Sequence, residues 1–155
     1  MALLLASEAT LFLVLIASYF YLRYQAAEWP LPGSPDPKLG APLVANAILV
    51  ASSLAVLIRL PAGFVLAIVL QGAFVALQLD AFATRLEDFV PQQSAFESLF
   101  YALTGIHLAH VVVGIAFLAW GLAVPRDGGL IALYTHFVNA VAVAIFLTVY
   151  VSPLA

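Results

Sequence analysis

Apolar residues run along this chain in five long blocks, separated by short stretches rich in proline, glycine and charge. A helix that crosses hydrocarbon needs about 20 mostly apolar residues at ~1.5 Å each. On that measure the blocks predict five spanning helices, over about residues 1–24, 43–59, 62–79, 95–122 and 130–151. The first ends in Tyr19, Phe20, Tyr21, Arg23 and Tyr24, an aromatic and cationic border suited to the headgroup level. Residues 28–42 hold Pro30, Pro32, Pro35, Pro37 and Pro42 with Gly33 and Gly40, so they cannot be helical throughout. Pro61 suits the first turn of the third helix. Residues 80–93, with Arg85, Glu87 and Asp88, form a charged connection, and Pro125, Asp127, Gly128 and Gly129 make the last turn. The pattern predicts an all-α polytopic membrane helical bundle, one transmembrane domain over residues 1–155, without internal repeats.

Polar residues inside the blocks fall on narrow lines. Asn46 and Ser53 lie seven apart on the second helix, and Gln71 and Gln78 seven apart on the third. Thr104, His107, His110 and Gly114 follow steps of three and four on the fourth, and His136 and Asn139 lie three apart on the fifth. Such spacings share a helix face. Lipid rejects polar faces, so these should point at other helices as a structural polar network. Counted from the side of the N-terminus (side A; the opposite side is B), Glu8, Ser53, Gln71 and His136 lie about 10 to 14 Å deep, and Asn46, Gln78 and His107 about 21 to 24 Å. This layering suggests His136 or Gln71 as the partner of Glu8.

Composition narrows the function. Hydrophobic residues make up 65% and charged residues 8% of the chain, against about 25% charged in a soluble domain. The net charge of −3 comes without a basic cluster, which argues against nucleic acid as a partner. No cysteine is present, so disulfides, iron–sulfur clusters and thiolate metal sites are excluded. The first block lacks a basic leader region and reads as a spanning helix, not a cleaved signal. Positive residues divide almost evenly between the two sides and give no orientation.

The three histidines have two readings. One is packing, with each imidazole bonded to a carbonyl or a side chain of another helix. The other is haem or copper. His107 and His110 are one helical step apart and cannot face each other across one haem, and His136 lies about 8 to 12 Å off their level. Copper sites favour thiolate or thioether besides imidazole, and the one methionine is Met1. The expectation is no metal in this chain and no catalytic residue. Glu8 is either a simply protonated carboxyl or a proton-handling group near an entry surface. Asp80 and Glu97 read as interfacial, and the Tyr and Trp residues at helix ends as belt residues.

Several segments together resemble subunit III of haem–copper terminal oxidases (cytochrome c oxidase subunit 3). They are Ser7-Glu8 with Phe12, Tyr19 and Phe20; Ala41-Pro42-Leu43 leading to Asn46; Gly105-Ile106-His107-Leu108-Ala109-His110-Val111 with Gly114; and Tyr134-Thr135-His136-Phe137-Val138-Asn139. The match runs over nearly the whole chain, in order, and resembles the five-helix form that lacks the first two of seven helices. The resemblance implies a subunit without a redox centre of its own, with haem and copper in partner subunits. It implies packing against subunit I, association with subunit II, phospholipid bound in a cleft, and support of proton uptake during aerobic respiration. It places the N-terminus and side A on the cytoplasmic side of a bacterial cytoplasmic membrane, with Glu8 as the family's buried carboxyl and His107, His110 and His136 in structural roles. Two positions depart from the family: Thr135 stands where a Trp often precedes the histidine, and Asn139 where an Asp often follows it. With no carboxylate there, an amide is left to accept the hydrogen bond.

These features predict an accessory subunit of a proton-pumping oxygen reductase, with cytochrome c as electron donor. A quinol oxidase or nitric oxide reductase subunit would share the fold. A small proton channel or transporter, or a b-type haem carrier, are the readings from other classes. Helices this apolar all round suit further burial. The chain purified without subunit I is therefore expected to aggregate in detergent, which size-exclusion chromatography checks; a monodisperse, heat-resistant monomer is the contrary result.

Overall fold

A computed structural model describes residues 2–29, 39–58, 61–86, 90–92, 94–124 and 128–154. Residues 30–38, Arg59, Glu87, Asp88, Pro125, Arg126 and Asp127, which carry several of the expected turns, lie outside the described residues. Five helices are long and apolar enough to span a membrane, and no strand occurs among the described residues. They are α1 (Ala2–Gln25), α2 (Gly40–Leu57), α3 (Pro61–Arg85), α4 (Ala95–Ala123) and α5 (Gly128–Phe146). α5 runs on into a π-helical turn, Leu147–Val151, and a 3₁₀ turn, Ser152–Leu154.

Local chemistry explains the ends. Pro61 opens α3, where its missing N–H is no loss. Pro42 sits in the first turn of α2 for the same reason, so α2 starts at Gly40 and not at Leu43. Ser94 caps α4, its hydroxyl accepting from the Phe96 and Glu97 amides at 3.1 and 3.5 Å. α3 continues six residues past the expected end at Leu79. Asp80 through Arg85 are less apolar but contain no helix breaker; Thr84 donates to the Asp80 carbonyl, and Phe82 packs on Tyr101 with ring centroids 5.4 Å apart. Hydropathy marks the edge of the hydrocarbon, which is not the edge of the helix.

The helices α2, α3, α4 and α5 form a closed ring in which each packs on the next and α5 returns to α2. α1 lies outside the ring against α4 and α5. The core divides into three layers along the bundle. Val56, Phe64, Leu118 and Ile131 fill the side-A end, Leu49, Val111 and Val138 the middle, and Tyr19, Phe100, Leu103 and Val149 the side-B end, where α1 joins. Two glycines allow close approach at side A. A Cβ on Gly63 would stand 2.5 Å from the Ala55 carbonyl oxygen, and one on Gly121 would stand 2.7 Å from the Ile131 and Phe64 side chains.

One polar clasp closes the ring. The Asn139 amide on α5 donates towards the Leu49 carbonyl, Ser52 Oγ and Ser53 Oγ of α2 at 2.8 to 2.9 Å. Two amide hydrogens serve three acceptors, so one bond is shared. Interhelical hydrogen bonds in membranes average about 0.6 kcal/mol. Asn139→Leu is therefore expected to lower stability by about 1–2 kcal/mol, and Ser53→Ala by less, read from the denaturation midpoint of the assembled protein.

Candidate functional site

The face of α1 that meets α4 carries Glu8, Phe12 and Tyr19, at helical spacings of four and seven. Tyr19 packs against Phe96 at one end of the contact, with ring centroids 6.2 Å apart. At the other end Glu8 Oε2 lies 2.7 Å from His110 Nε2. Phe12 fits between, edge-on to His110 at 5.1 Å and to His107 at 6.4 Å. The two contacts set the register: residues 8–19 of α1 run antiparallel to residues 96–110 of α4.

The partner of Glu8 is thus His110, and neither His136 nor Gln71. The depth count that suggested those two measured each residue from the end of its own helix. α4 has 29 residues against 24 in α1, and it is displaced towards side A relative to α1. His110 is thereby brought level with Glu8.

The geometry fixes where protons sit. His110 Nδ1 lies 2.7 Å from the Ile106 carbonyl oxygen. A carbonyl only accepts, so Nδ1 carries a hydrogen and donates. Nε2 and Glu8 Oε2 cannot meet at 2.7 Å as two bare lone pairs, so one further proton lies between them. Whether that proton rests on oxygen or nitrogen, the pair has no net charge. Such a pair suits hydrocarbon, where an isolated charge is costly. The Glu8 side chain keeps 22% and the His110 side chain 16% of their exposure in this chain. The pair therefore borders the outer surface beside α1 and is not sealed in the ring.

The other expected polar residues divide. Asn139 and Ser53 form the clasp described above. Asn46 donates to the Pro42 carbonyl at 3.0 Å, within its own helix. Its Oδ1, the Gln78 Nε2, both polar atoms of Gln71 and both ring nitrogens of His107 are buried without a hydrogen-bond partner among the described residues. Gln71 lies beside Gly114, where a Cβ would stand 3.4 Å from Gln71 Oε1. His136 is half-buried and does not join Asn139. His107 and His110, three residues apart, point about 60° apart round α4; the first faces into the ring and the second faces α1.

Some participants were not legible as site residues. Ser52, fully buried, joins the Asn139 clasp. Tyr134 reaches towards the His110 carbonyl at 3.5 Å. Tyr19 was expected in the aromatic belt but has no exposure; it accepts from Trp29 Nε1 at 2.9 Å and from Ser152 Oγ at 3.3 Å. Glu97 is likewise buried by neighbouring protein. Tyr21 and Tyr24 are exposed. His110 has both ring nitrogens engaged within the chain, and no group of three His, Asp or Glu side chains able to hold a metal converges among the described residues.

A bundle of five helices able to span a membrane, with amides, imidazoles and carboxyls set between the helices, defines an integral membrane protein built around internal polar contacts. The chain matches no model of a known protein family. It is 30% identical to cytochrome c oxidase subunit 3 of Synechocystis sp. over an alignment of 170 positions, covering 96% of this chain and 72% of that protein. It is also 35% identical to cytochrome c oxidase subunit 3 of Alkalihalophilus pseudofirmus over 95 positions, 54% of this chain and 46% of that protein. The chain belongs to the cytochrome c oxidase subunit 3 family.

Removing one member of the Glu8–His110 pair orphans the other, at about 1–3 kcal/mol. Glu8→Leu is expected to destabilise the α1–α4 contact by that amount, and the double change Glu8→Leu with His110→Leu to recover most of it. A double-mutant cycle on the thermal stability of the assembled protein checks this; additive losses would mean that the two side chains do not interact.

Proposed function

We propose that this chain is the non-catalytic accessory subunit of a proton-pumping haem–copper oxygen reductase. In this reading it packs against subunit I, adjoins the complex that includes subunit II, and sits in the cytoplasmic membrane of a bacterium. The haem and copper centres belong to the partner subunits. Family membership supports the oxidase assignment, and the names of both relatives support cytochrome c over quinol as the donor. The outward faces of α1 and α4, with Leu3, Leu13, Val14, Val112 and Trp120 exposed, suit a companion helix or phospholipid.

The observation that carries the proton-side reading is the Glu8–His110 pair. It holds one transferable proton on a net-neutral pair, and its partial exposure leaves it reachable. In this role the pair holds and returns protons near the uptake side; it performs no electron transfer.

Glu8→Gln keeps a hydrogen-bonding group beside His110 but removes the acid. Assembly is expected to remain intact, with proton uptake altered modestly, far less than the ~100-fold loss that follows removal of a catalytic acid or base. Stopped-flow proton uptake and pumping stoichiometry of the assembled oxidase across pH check this. Unchanged behaviour would leave the pair a purely structural contact. The isolated chain in vesicles is expected to conduct no protons, and a conductance would favour the channel reading.

A further inference from the structure

A second polar site lies inside the ring, one turn of α4 away from the Glu8–His110 pair. A partly open cleft, with about 30 Å³ of room for water-sized spheres, lies between α2, α3, α4 and α5 on the side-B half of the bundle. His107, Asn46 and Gln78 line it, from three different helices, with Thr104 and Tyr150 beside them. His107 is 4% exposed and lies edge-on to Phe74 at 5.7 Å. The hydroxyl of Thr104 already donates to the Phe100 carbonyl. The Asn46 Oδ1, the Gln78 Nε2 and both His107 ring nitrogens are the atoms left over.

Those atoms specify the ligand. A neutral imidazole presents one donor and one acceptor in either tautomer. The Asn46 oxygen adds an acceptor and the Gln78 nitrogen adds donors. Donors and acceptors are therefore mixed, and no formal charge among them would balance an ion. A cation would face the amide hydrogens, an anion would face the Asn46 oxygen, and either would be charged within hydrocarbon. A neutral molecule that both donates and accepts satisfies the set. Size decides among such molecules. A water needs roughly 10–15 Å³ of this kind of space, so the narrow part of the cleft beside the three polar side chains admits about two. Orphaned buried polar groups cost about 1–3 kcal/mol each, which gives the water a strong reason to enter.

We propose that the cleft between α2, α3, α4 and α5 is a water site, in which one or two water molecules bridge the His107 imidazole to the Asn46 and Gln78 amides. The site ties three helices together at a depth where their side chains do not reach one another. It is separate from the Glu8–His110 pair and stands independently of the proposed function.

X-ray radiolytic footprinting in heavy-oxygen water, on the assembled oxidase, tests it. Hydroxyl radicals formed from bound water oxidise the side chains beside it. Phe74 and Tyr150, 4% and 7% exposed, line the cleft and are expected to take up label. Phe64, 8% exposed and outside the cleft, is expected to stay unlabelled, and Tyr24, 92% exposed, is the positive control. Filling the site with Asn46→Leu, Gln78→Met and His107→Phe together should abolish the label on Tyr150. Labelling of Phe74 and Tyr150 no greater than that of Phe64 overturns the proposal, using the unmodified protein alone. So does a density map of the complex in which the His107 ring bonds directly to Asn46 or Gln78, or in which an acyl chain fills the cleft.

Discussion

Hydrocarbon offers no hydrogen bonds, and the placement of every polar side chain in this bundle follows from that. Hydroxyls meet the requirement locally. Ser7, Thr10 and Ser18 of α1 each donate to a carbonyl three or four residues back, so α1 tolerates them on exposed positions. Amides, imidazoles and carboxyls have too many donors and acceptors for that solution. Some turn inward and meet partners on other helices, as Asn139 does on α2 and Glu8 does on α4, while Gln71 and His107 are buried with polar atoms left over.

This constraint shapes the architecture as much as apolar packing does. Aliphatic contact cannot by itself distinguish one helix from the next in lipid, because lipid chains are equally apolar. What distinguishes them here is close approach and specific pairing. Gly63 and Gly121 let α2, α3, α4 and α5 come together at side A. The Asn139 clasp then closes α5 onto α2. α1 has less contact with the ring and is held at two points, the Tyr19–Trp29–Phe96 aromatic cluster and the Glu8–His110 pair. A helix fixed at its two ends on the outside of a bundle leaves a broad apolar face free for a companion.

The functional reading follows from the same division. The Glu8–His110 pair holds α1 at the border of the bundle. The more deeply buried His107 faces neutral amides within the ring. Both positions suit a subunit that shapes the surroundings of chemistry carried out elsewhere in an oxidase. At side B, Arg85 at the end of α3 lies over the Phe100 and Tyr150 rings at 5.0 and 5.7 Å.

Five spans, their order, and the residues that must avoid lipid were legible in the sequence, because hydropathy and helical spacing are properties of each segment alone. Even the family could be read from short motifs around Glu8, His107, His110 and His136. The length of α3 was not, since Asp80 and Arg85 lower hydropathy without breaking a helix. Nor was the partner of Glu8. Counting residues gives depth within one helix, whereas pairing depends on how far neighbouring helices slide along each other, and the Tyr19–Phe96 contact sets that slide. The same holds for Asn139, which shares a face with His136 yet bonds to α2. The sequence alone decided which groups had to be buried; only the packed helices, through their axial offset and rotation, decided which groups would meet.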